Sequence, residues 1–283
     1  MNASPLISVA ELAARLGGEN LLVVDCRFDL ADPARGEREY AAAHIPGAVY
    51  AHLDRDLSDL SKRKLGRHPL PDADAFSRVL GRWGWTPQMR VVAYDDAGGA
   101  LAAARLWWML GLVGARDAAV LDGGWGAWTR AGGRADALAP TRGATAVDVN
   151  FAQNEIVYTA ELRELRGRGV GVVLDARAAP RFRGEVEPID SVAGHIPGAR
   201  NRPLTDNLAA DGRFKPVGEL RAELLAAIGA HAPGEVIHSC GSGVSACQNL
   251  LAFEAAGLHG SRLYAPSWSG WIADPENPVE RDA

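Results

Sequence analysis

In the stretch Cys240-Gly-Ser-Gly-Val-Ser245 a nucleophilic side chain sits among small, turn-forming residues. Two glycines in such a run let the backbone curl until successive amide N–H groups converge on one point, which makes a nest for an anion. Ahead of it, Glu235 to Ser239 has the apolar character of a strand. Behind it, Ala246, Leu250, Phe253 and Leu258 recur at helical spacing, with Gly257 as a stop signal. A helix beginning near Ser245 adds the positive end of its dipole to the nest. A cysteine placed there is favoured as thiolate, the form that attacks. The amides of Gly241, Ser242, Gly243, Val244, Ser245 and Ala246 are therefore expected to hold an anionic sulfur on Cys240. An apolar filler would have no use for the flanking glycines and serines. The other two cysteines, Cys26 and Cys247, lack that setting and read as small buried residues. His238, two residues before Cys240 on the same strand, reads as structural.

A cysteine between strand and helix also serves phosphatases that grip phosphate with an arginine after five intervening residues. Ala246 stands at that position here, so phosphate would lose its bidentate partner. A cysteine protease needs a histidine base oriented by a third group, and no such set is suggested. Both readings weaken, and Cys240 stands as a ready nucleophile with no metal or cofactor expected beside it.

The elements that position this loop occur twice. Leu22-Val-Val-Asp-Cys-Arg27 matches Val172-Val-Leu-Asp-Ala-Arg177, and His44-Ile-Pro-Gly-Ala48 matches His195-Ile-Pro-Gly-Ala199. Arg90 to Asp96 aligns with Glu235 to Gly241, which puts Asp95 opposite Cys240, and Trp125 and Trp128 align with Trp268 and Trp271. Four anchors in one order imply two copies of one fold. Each copy alternates short apolar runs with amphipathic segments, such as Thr159 to Gly167 followed by Val170 to Leu174, so each is expected to be α/β, a mostly parallel sheet flanked by helices. The expected division is 1–135, a linker at 136–153 rich in Gly, Ala, Thr and Pro, and 154–283.

Length agrees with two domains, since 283 residues exceed one typical domain. A composition 47% hydrophobic and 23% charged is that of a globular protein, and a net charge of -5 gives no support to nucleic-acid binding. Three cysteines are too few for a disulfide framework, and no apolar run is long enough to span a bilayer. The expectation is a cytoplasmic, unprocessed protein with small-molecule and protein partners and no membrane association.

Together these motifs resemble the tandem-domain rhodanese superfamily. The paired Asp-x-Arg and His-Ile-Pro-Gly-Ala signatures, Asp122-Gly-Gly-Trp125 and Ser267-Trp-Ser-Gly-Trp271 are similar to its markers, with Gly270 in place of a commoner glutamate. The uncharged Cys240 loop is most similar to that of 3-mercaptopyruvate sulfurtransferases, whereas thiosulfate sulfurtransferases of this fold usually carry basic residues there. The resemblance implies a non-catalytic first copy and a catalytic second one facing the cleft between them. It implies a sulfurtransferase that takes sulfur from 3-mercaptopyruvate as a Cys240 persulfide and gives it to cyanide or a thiol, thioredoxin included. The alternatives are a thiosulfate sulfurtransferase and a persulfide relay or binding module for a protein partner. Arg181 matches a substrate arginine of the mercaptopyruvate enzymes, and Arg183 is the substitute for a second one whose place is taken by Ile189. Ser242 matches a serine that works with a histidine and an aspartate of the first copy; His44 matches that histidine, and Asp32 is the nearest candidate for the aspartate. Asp175 and Arg177 read as a structural ion pair, and His195 as a residue that ties down a turn.

Overall fold

The computed structural model describes residues 4–99, 101–115 and 117–282, with the backbone alone for Arg63. The chain forms two compact units. The first comprises residues 1–59, 71–152 and 210–214, the second 60–70, 153–209 and 215–283. Each unit thus borrows a short segment from the other half of the chain, two exchanges that the expected boundaries do not contain. Residues 136–152, expected as linker, are strapped to the first unit: Thr145 N–H donates to Gly81 O (3.0 Å), Val149 N–H to Ser77 Oγ (3.1 Å) and Ala152 N–H to Leu112 O (2.9 Å).

In the first unit the strands are β1 (Leu6–Ile7), β2 (Leu21–Asp25), β3 (Val49–Tyr50), β4 (Arg90–Tyr94) and β5 (Ala118–Leu121). Helices α1 (Val9–Ala13), α2 (Arg35–Ala42), α3 (Leu53–Asp56), α4 (Ala73–Arg82), α5 (Ala102–Leu112) and α6 (Gly124–Arg130) connect them. The second unit has strands β6 (Ile156–Val157), β7 (Val172–Asp175), β8 (Arg200–Asn201), β9 (Val236–Ser239) and β10 (Arg262–Tyr264). Its helices are α7 (Thr159–Gly167), α8 (Ala179–Arg183), α9 (Val217–Ile228), α10 (Ala246–Ala255) and α11 (Ser267–Trp271). The sheet orders are β1-β5-β4-β2-β3 and β6-β10-β9-β7-β8, every pair parallel. The same order twice is the expected duplication, and both units are α/β. Strands β2, β7 and β9 are buried at every residue, as central parallel strands covered on both faces must be. Strand β7 starts two residues later than its apolar run, because Gly171 turns with φ 77° against the Glu235 carbonyl. No helix among the described residues is long and apolar enough to cross a membrane.

The repeated motifs occupy equivalent structural places. Trp128 in one core corresponds to Trp271 in the other. Asp25 grips Arg27, whose guanidinium lies 4.6 Å from the Trp125 ring and donates to Ala43 O. Asp175 grips Arg177 in the same way, with the guanidinium 4.8 Å from Trp268 and donating to Gly194 O. Each pair is a buried clamp that ties the end of a central strand to the turn before the His-Ile-Pro-Gly motif.

One core residue conflicts with its surroundings. Neither ring nitrogen of His238 on β9 has a hydrogen-bond partner among the described residues, and the ring packs edge-on against Phe253 at 4.7 Å. Complete burial drives its pKa down to about 3. The unfolded chain takes up this proton near pH 6.5, whereas the folded one refuses it until near pH 3. Stability contributed by the neutral ring is therefore full above pH 6.5 and is lost as pH falls below it, by about 1.4 kcal/mol per pH unit. His238→Leu should be at least as stable as the wild type at pH 7, with an advantage that widens at pH 5 and pH 4. Urea denaturation at the three pH values measures this, and parallel curves for the two proteins would refute it.

Candidate active site

The Cys240 loop lies between β9 and α10, and its geometry follows from where its carbonyls and amides are sent. Trp268 N–H donates to Cys240 O and Ser269 N–H to Gly241 O, both at 2.9 Å, so the start of α11 takes the loop's carbonyls. Gly243, with φ 75°, folds its N–H back onto Cys240 Sγ at 3.2 Å. A Cβ there would stand 2.2 Å from Ala265 O, so glycine is required by both conformation and space. Where α10 opens, Cys247 N–H donates to Val244 O and Gln248 N–H to Ser245 O, both at 3.1 Å, and Ser245 adds no side-chain cap. Cys240 as a whole is 1% exposed.

Ser267, also outside the loop, sets the amide of Cys240. It is the one non-glycine with positive φ (51°) among the described residues, and it is fully buried. Its Oγ accepts the Cys240 N–H at 3.1 Å and donates to Tyr264 O at 3.0 Å, lying 4.0 Å from Sγ. Backbone strain of this kind persists where the surroundings enforce it, and here it aims one hydroxyl at the cysteine amide.

The first unit holds the matching loop without a thiol. Asp95 is fully buried there and accepts N–H groups from Ala97 (2.9 Å), Gly99 (2.8 Å), Leu101 (3.1 Å) and Ala103 (3.3 Å). Burial pushes its carboxyl up, against the pull of those four amides. This position of the fold thus holds a carboxyl group on four backbone N–H groups in one copy and a sulfur that accepts the Gly243 N–H in the other. Cys26, by contrast, is a core thiol that burial, with Asp25 and Asp95 nearby, pushes well up. Cys247 is buried, with Sγ 3.5 Å from Gly243 O.

Around Cys240 the structure revises two expected partners. Ser242 Oγ is 2.8 Å from Nδ1 of His68, a residue of the 60–70 segment that packs into the second unit. His44 is fully buried in the first unit: its Nδ1 is 2.7 Å from Tyr40 O, its Nε2 3.3 Å from Leu138 O, and its ring stacks on Tyr40 at 4.2 Å. His195 does the same on Phe182, with Nδ1 2.8 Å from Phe182 O, so a histidine before Ile-Pro-Gly ties down a turn in both copies. Asp32 is exposed and pairs with Arg38. Neither His44 nor Asp32 is the partner of Ser242; His68 is.

Arg181 lies beside the loop, its Nη2 3.8 Å from the place of a Gly241 Cβ, and is held by Glu187 (2.6 Å) and Asp190 (3.1 Å). Arg183 is exposed and bound bidentately by Glu185, which takes it out of the substitute role expected for it. Arg67 Nη2 is closer to Gly241 than either, 3.0 Å from that Cβ position. Sequence reasoning missed His68, Arg67 and Ser267. His68 and Arg67 lie on a segment with no motif of its own, and Ser267 was visible only as part of a tryptophan signature.

A doubled α/β fold with an anion-cradled cysteine in its second copy defines a class, and the family described as "Rhodanese-like domain" matches residues 8–131 and 158–274. The chain belongs to that family. It is 47% identical over 286 residues to the "Probable 3-mercaptopyruvate sulfurtransferase" of Pseudomonas aeruginosa, covering 99% of both chains. It is 41% identical over 281 residues to the "Putative thiosulfate sulfurtransferase SseB" of Mycobacterium tuberculosis, covering 98% of this chain and 96% of that one. Among solved structures, the 3-mercaptopyruvate sulfurtransferase from Leishmania major superposes with a TM-score of 0.83 at 33% identity, over 93% of this chain and 73% of that one.

Proposed function

We propose that this protein is a sulfurtransferase that takes sulfur from 3-mercaptopyruvate as a Cys240 persulfide and passes it to cyanide or a thiol, a protein thiol such as that of thioredoxin included. The observation that carries the reading is the pair of cradles: the loop that holds the Asp95 carboxylate on four amides in one copy holds the Cys240 sulfur in the other.

In the first step the Cys240 thiolate attacks the donor sulfur. A sulfur–sulfur bond forms, the carbon–sulfur bond breaks, and its electron pair leaves as the enolate of pyruvate. The enolate takes up a proton equivalent to that of the donor thiol, and the persulfide remains with its terminal sulfur anionic. The nest amides from Gly241 to Ala246 then face the charge as it moves from Sγ to the outer sulfur, where fixed dipoles need no reorganisation. Ser242, bonded to His68, supplies a hydroxyl whose proton can move towards the leaving enolate. Arg181 receives the donor carboxylate. In the second step the acceptor attacks the outer sulfur and restores the thiolate, a two-step exchange. The three cysteines are all free, which suits a reducing cytoplasm.

The runner-up donor is thiosulfate, the substrate in the name of the Mycobacterium tuberculosis relative. Steady-state kinetics with both donors and cyanide separate the two. We expect kcat/KM at least about tenfold higher for mercaptopyruvate, about 1.4 kcal/mol of transition-state preference. The reverse ratio would overturn the donor assignment. Persulfide formation without turnover on small thiols would instead indicate a relay that needs its protein partner.

A further inference from the structure

Segment 60–70 meets α11 through bare main chain. Gly66 has φ 103°, and a Cβ there would stand 2.6 Å from Pro266 O and 3.1 Å from Ser269 Oγ. Across the contact, a Cβ at Gly270 would come within 3.4 Å of Gly66 N and Leu65 C. Two glycines thus seat a length of backbone on the helix. The seat is pinned at the next residue, where Arg67 N–H donates to Ser269 Oγ at 2.9 Å, and Ser269 N–H donates in turn to Gly241 O. The residue after that is His68, 5% exposed, with Nδ1 2.8 Å from Ser242 Oγ.

The first copy lacks this seat. Within α11 a Cβ at Gly270 would fall 2.4 Å from Pro266 Cβ, so the proline and the glycine go together. The equivalent helix α6 has the reverse pair: Gly123 is bare, and a Cβ on it would fall 2.7 Å from the Cβ that Ala127 carries. Segment 210–214 docks there, with Gly212 the counterpart of Gly66 and Phe214 that of His68. A side chain holds it, since Phe214 N–H donates to Asp122 Oδ1 at 2.8 Å. Gly212 also has positive φ (82°), yet a Cβ on it would meet nothing within 4 Å. Packing a segment at this place therefore does not by itself demand a close glycine approach. The approach occurs in the copy that holds the thiol.

We propose that Gly66 is a positioning residue for sulfur transfer: its close approach to Pro266 sets segment 60–70 on α11 so that His68 reaches Ser242. The inference rests on the reading above, in which the Ser242 hydroxyl serves the leaving enolate. A methyl at position 66 has to retreat from 2.6 Å to the roughly 3.4 Å of an ordinary contact with Pro266 O. A misplacement of about 1 Å can cost a hundredfold in rate.

The test compares Gly66→Ala with Gly212→Ala, which carries similar backbone strain without the collision. Rapid mixing with saturating 3-mercaptopyruvate reads persulfide formation, and mixing of the preformed persulfide with cyanide reads the second step. Gly66→Ala should form the persulfide about ten- to hundredfold more slowly than wild type. Its second step, and both steps of Gly212→Ala, should stay within about twofold of wild type. In a Ser242→Ala background, itself slow in the first step, Gly66→Ala should cost less than about twofold more, because the pair it aims is already broken. A loss that persists undiminished in that background, that Gly212→Ala shares, or that extends to the second step overturns the assignment. If Gly66→Ala does not fold, Ser269→Ala removes the acceptor of the Arg67 N–H without adding bulk. It should slow the first step about three- to tenfold, again only where Ser242 is present, and an unchanged first step overturns the assignment equally. Wild-type protein that forms no persulfide from mercaptopyruvate defeats the donor reading and this inference together. Ser242→Ala at the wild-type rate defeats the Ser242–His68 pair and the inference with it. Both results precede any change at position 66, so they are distinguishable from a failure of Gly66 alone.

Discussion

Replacing Cys240 with serine should reduce sulfur transfer to the uncatalysed background, from mercaptopyruvate and thiosulfate alike. A hydroxyl is not ionised at neutral pH and forms no persulfide, so the step that creates the intermediate disappears. Folding should survive. Cys240 is 1% exposed and its sulfur receives the Gly243 N–H, which a serine oxygen can accept as well, so the stability change should stay within about 1 kcal/mol. Intact-protein mass spectrometry after donor treatment should show the gain of one sulfur atom in the wild type and none in the variant. Turnover retained above background, or a sulfur still gained at Cys247, would sink the assignment of Cys240.

Gly243→Ala is the second large effect, and it acts on the cradle rather than the nucleophile. The new Cβ would sit 2.2 Å from Ala265 O and 3.1 Å from Ala265 C, in a backbone conformation with φ 75°. Backbone cannot swing aside as a side-chain tip can, and Ala265 lies two residues before Ser267, which holds the Cys240 amide. Left-handed strain and overpacking together should cost about 3 kcal/mol or more. Loss of the aimed N–H should lower kcat a further hundredfold or so, the usual scale for one preorganised donor. Gly198→Ala is the control. It also has positive φ (73°), but its Cβ meets nothing within 4 Å, so strain acts there without collision. A Gly243→Ala protein that melts and turns over like Gly198→Ala would show that the nest does not depend on this close approach.

The duplicated fold was legible because its anchors are local. A strand with an Asp-x-Arg end, a turn closed by His-Ile-Pro-Gly and a core tryptophan each write their requirement into a few adjacent residues, and the two sheets share one strand order. Cys240 was legible for the same reason: curvature, amide donors and helix start are all contributed by its own loop. Helix α7 spans the residues its periodicity marks, Thr159–Gly167. That residues 136–152, read as a linker, pack on the first unit was not legible, because their Gly-, Ala- and Thr-rich composition says nothing of the carbonyls and hydroxyl they meet on α4 and α5.

His44 shows where sequence matching misleads. It stands in a motif that aligns with a functional histidine, yet its two ring nitrogens are spent on Tyr40 O and Leu138 O, just as His195 spends Nδ1 on Phe182 O. The histidine at Ser242 comes from a segment without periodicity or repeat signature, and so does Arg67.

By itself, then, the sequence determined the two-copy α/β architecture and the glycine-rich loop that holds Cys240 between strand and helix, all encoded by residues close together in the chain. Only the tertiary structure decided which histidine meets Ser242 and which second arginine faces Gly241. Those contacts join residues 174 positions apart in the chain, brought together when segment 60–70 packs into the second unit. A contact of that range is made by packing, and nothing in the local pattern of either partner records it.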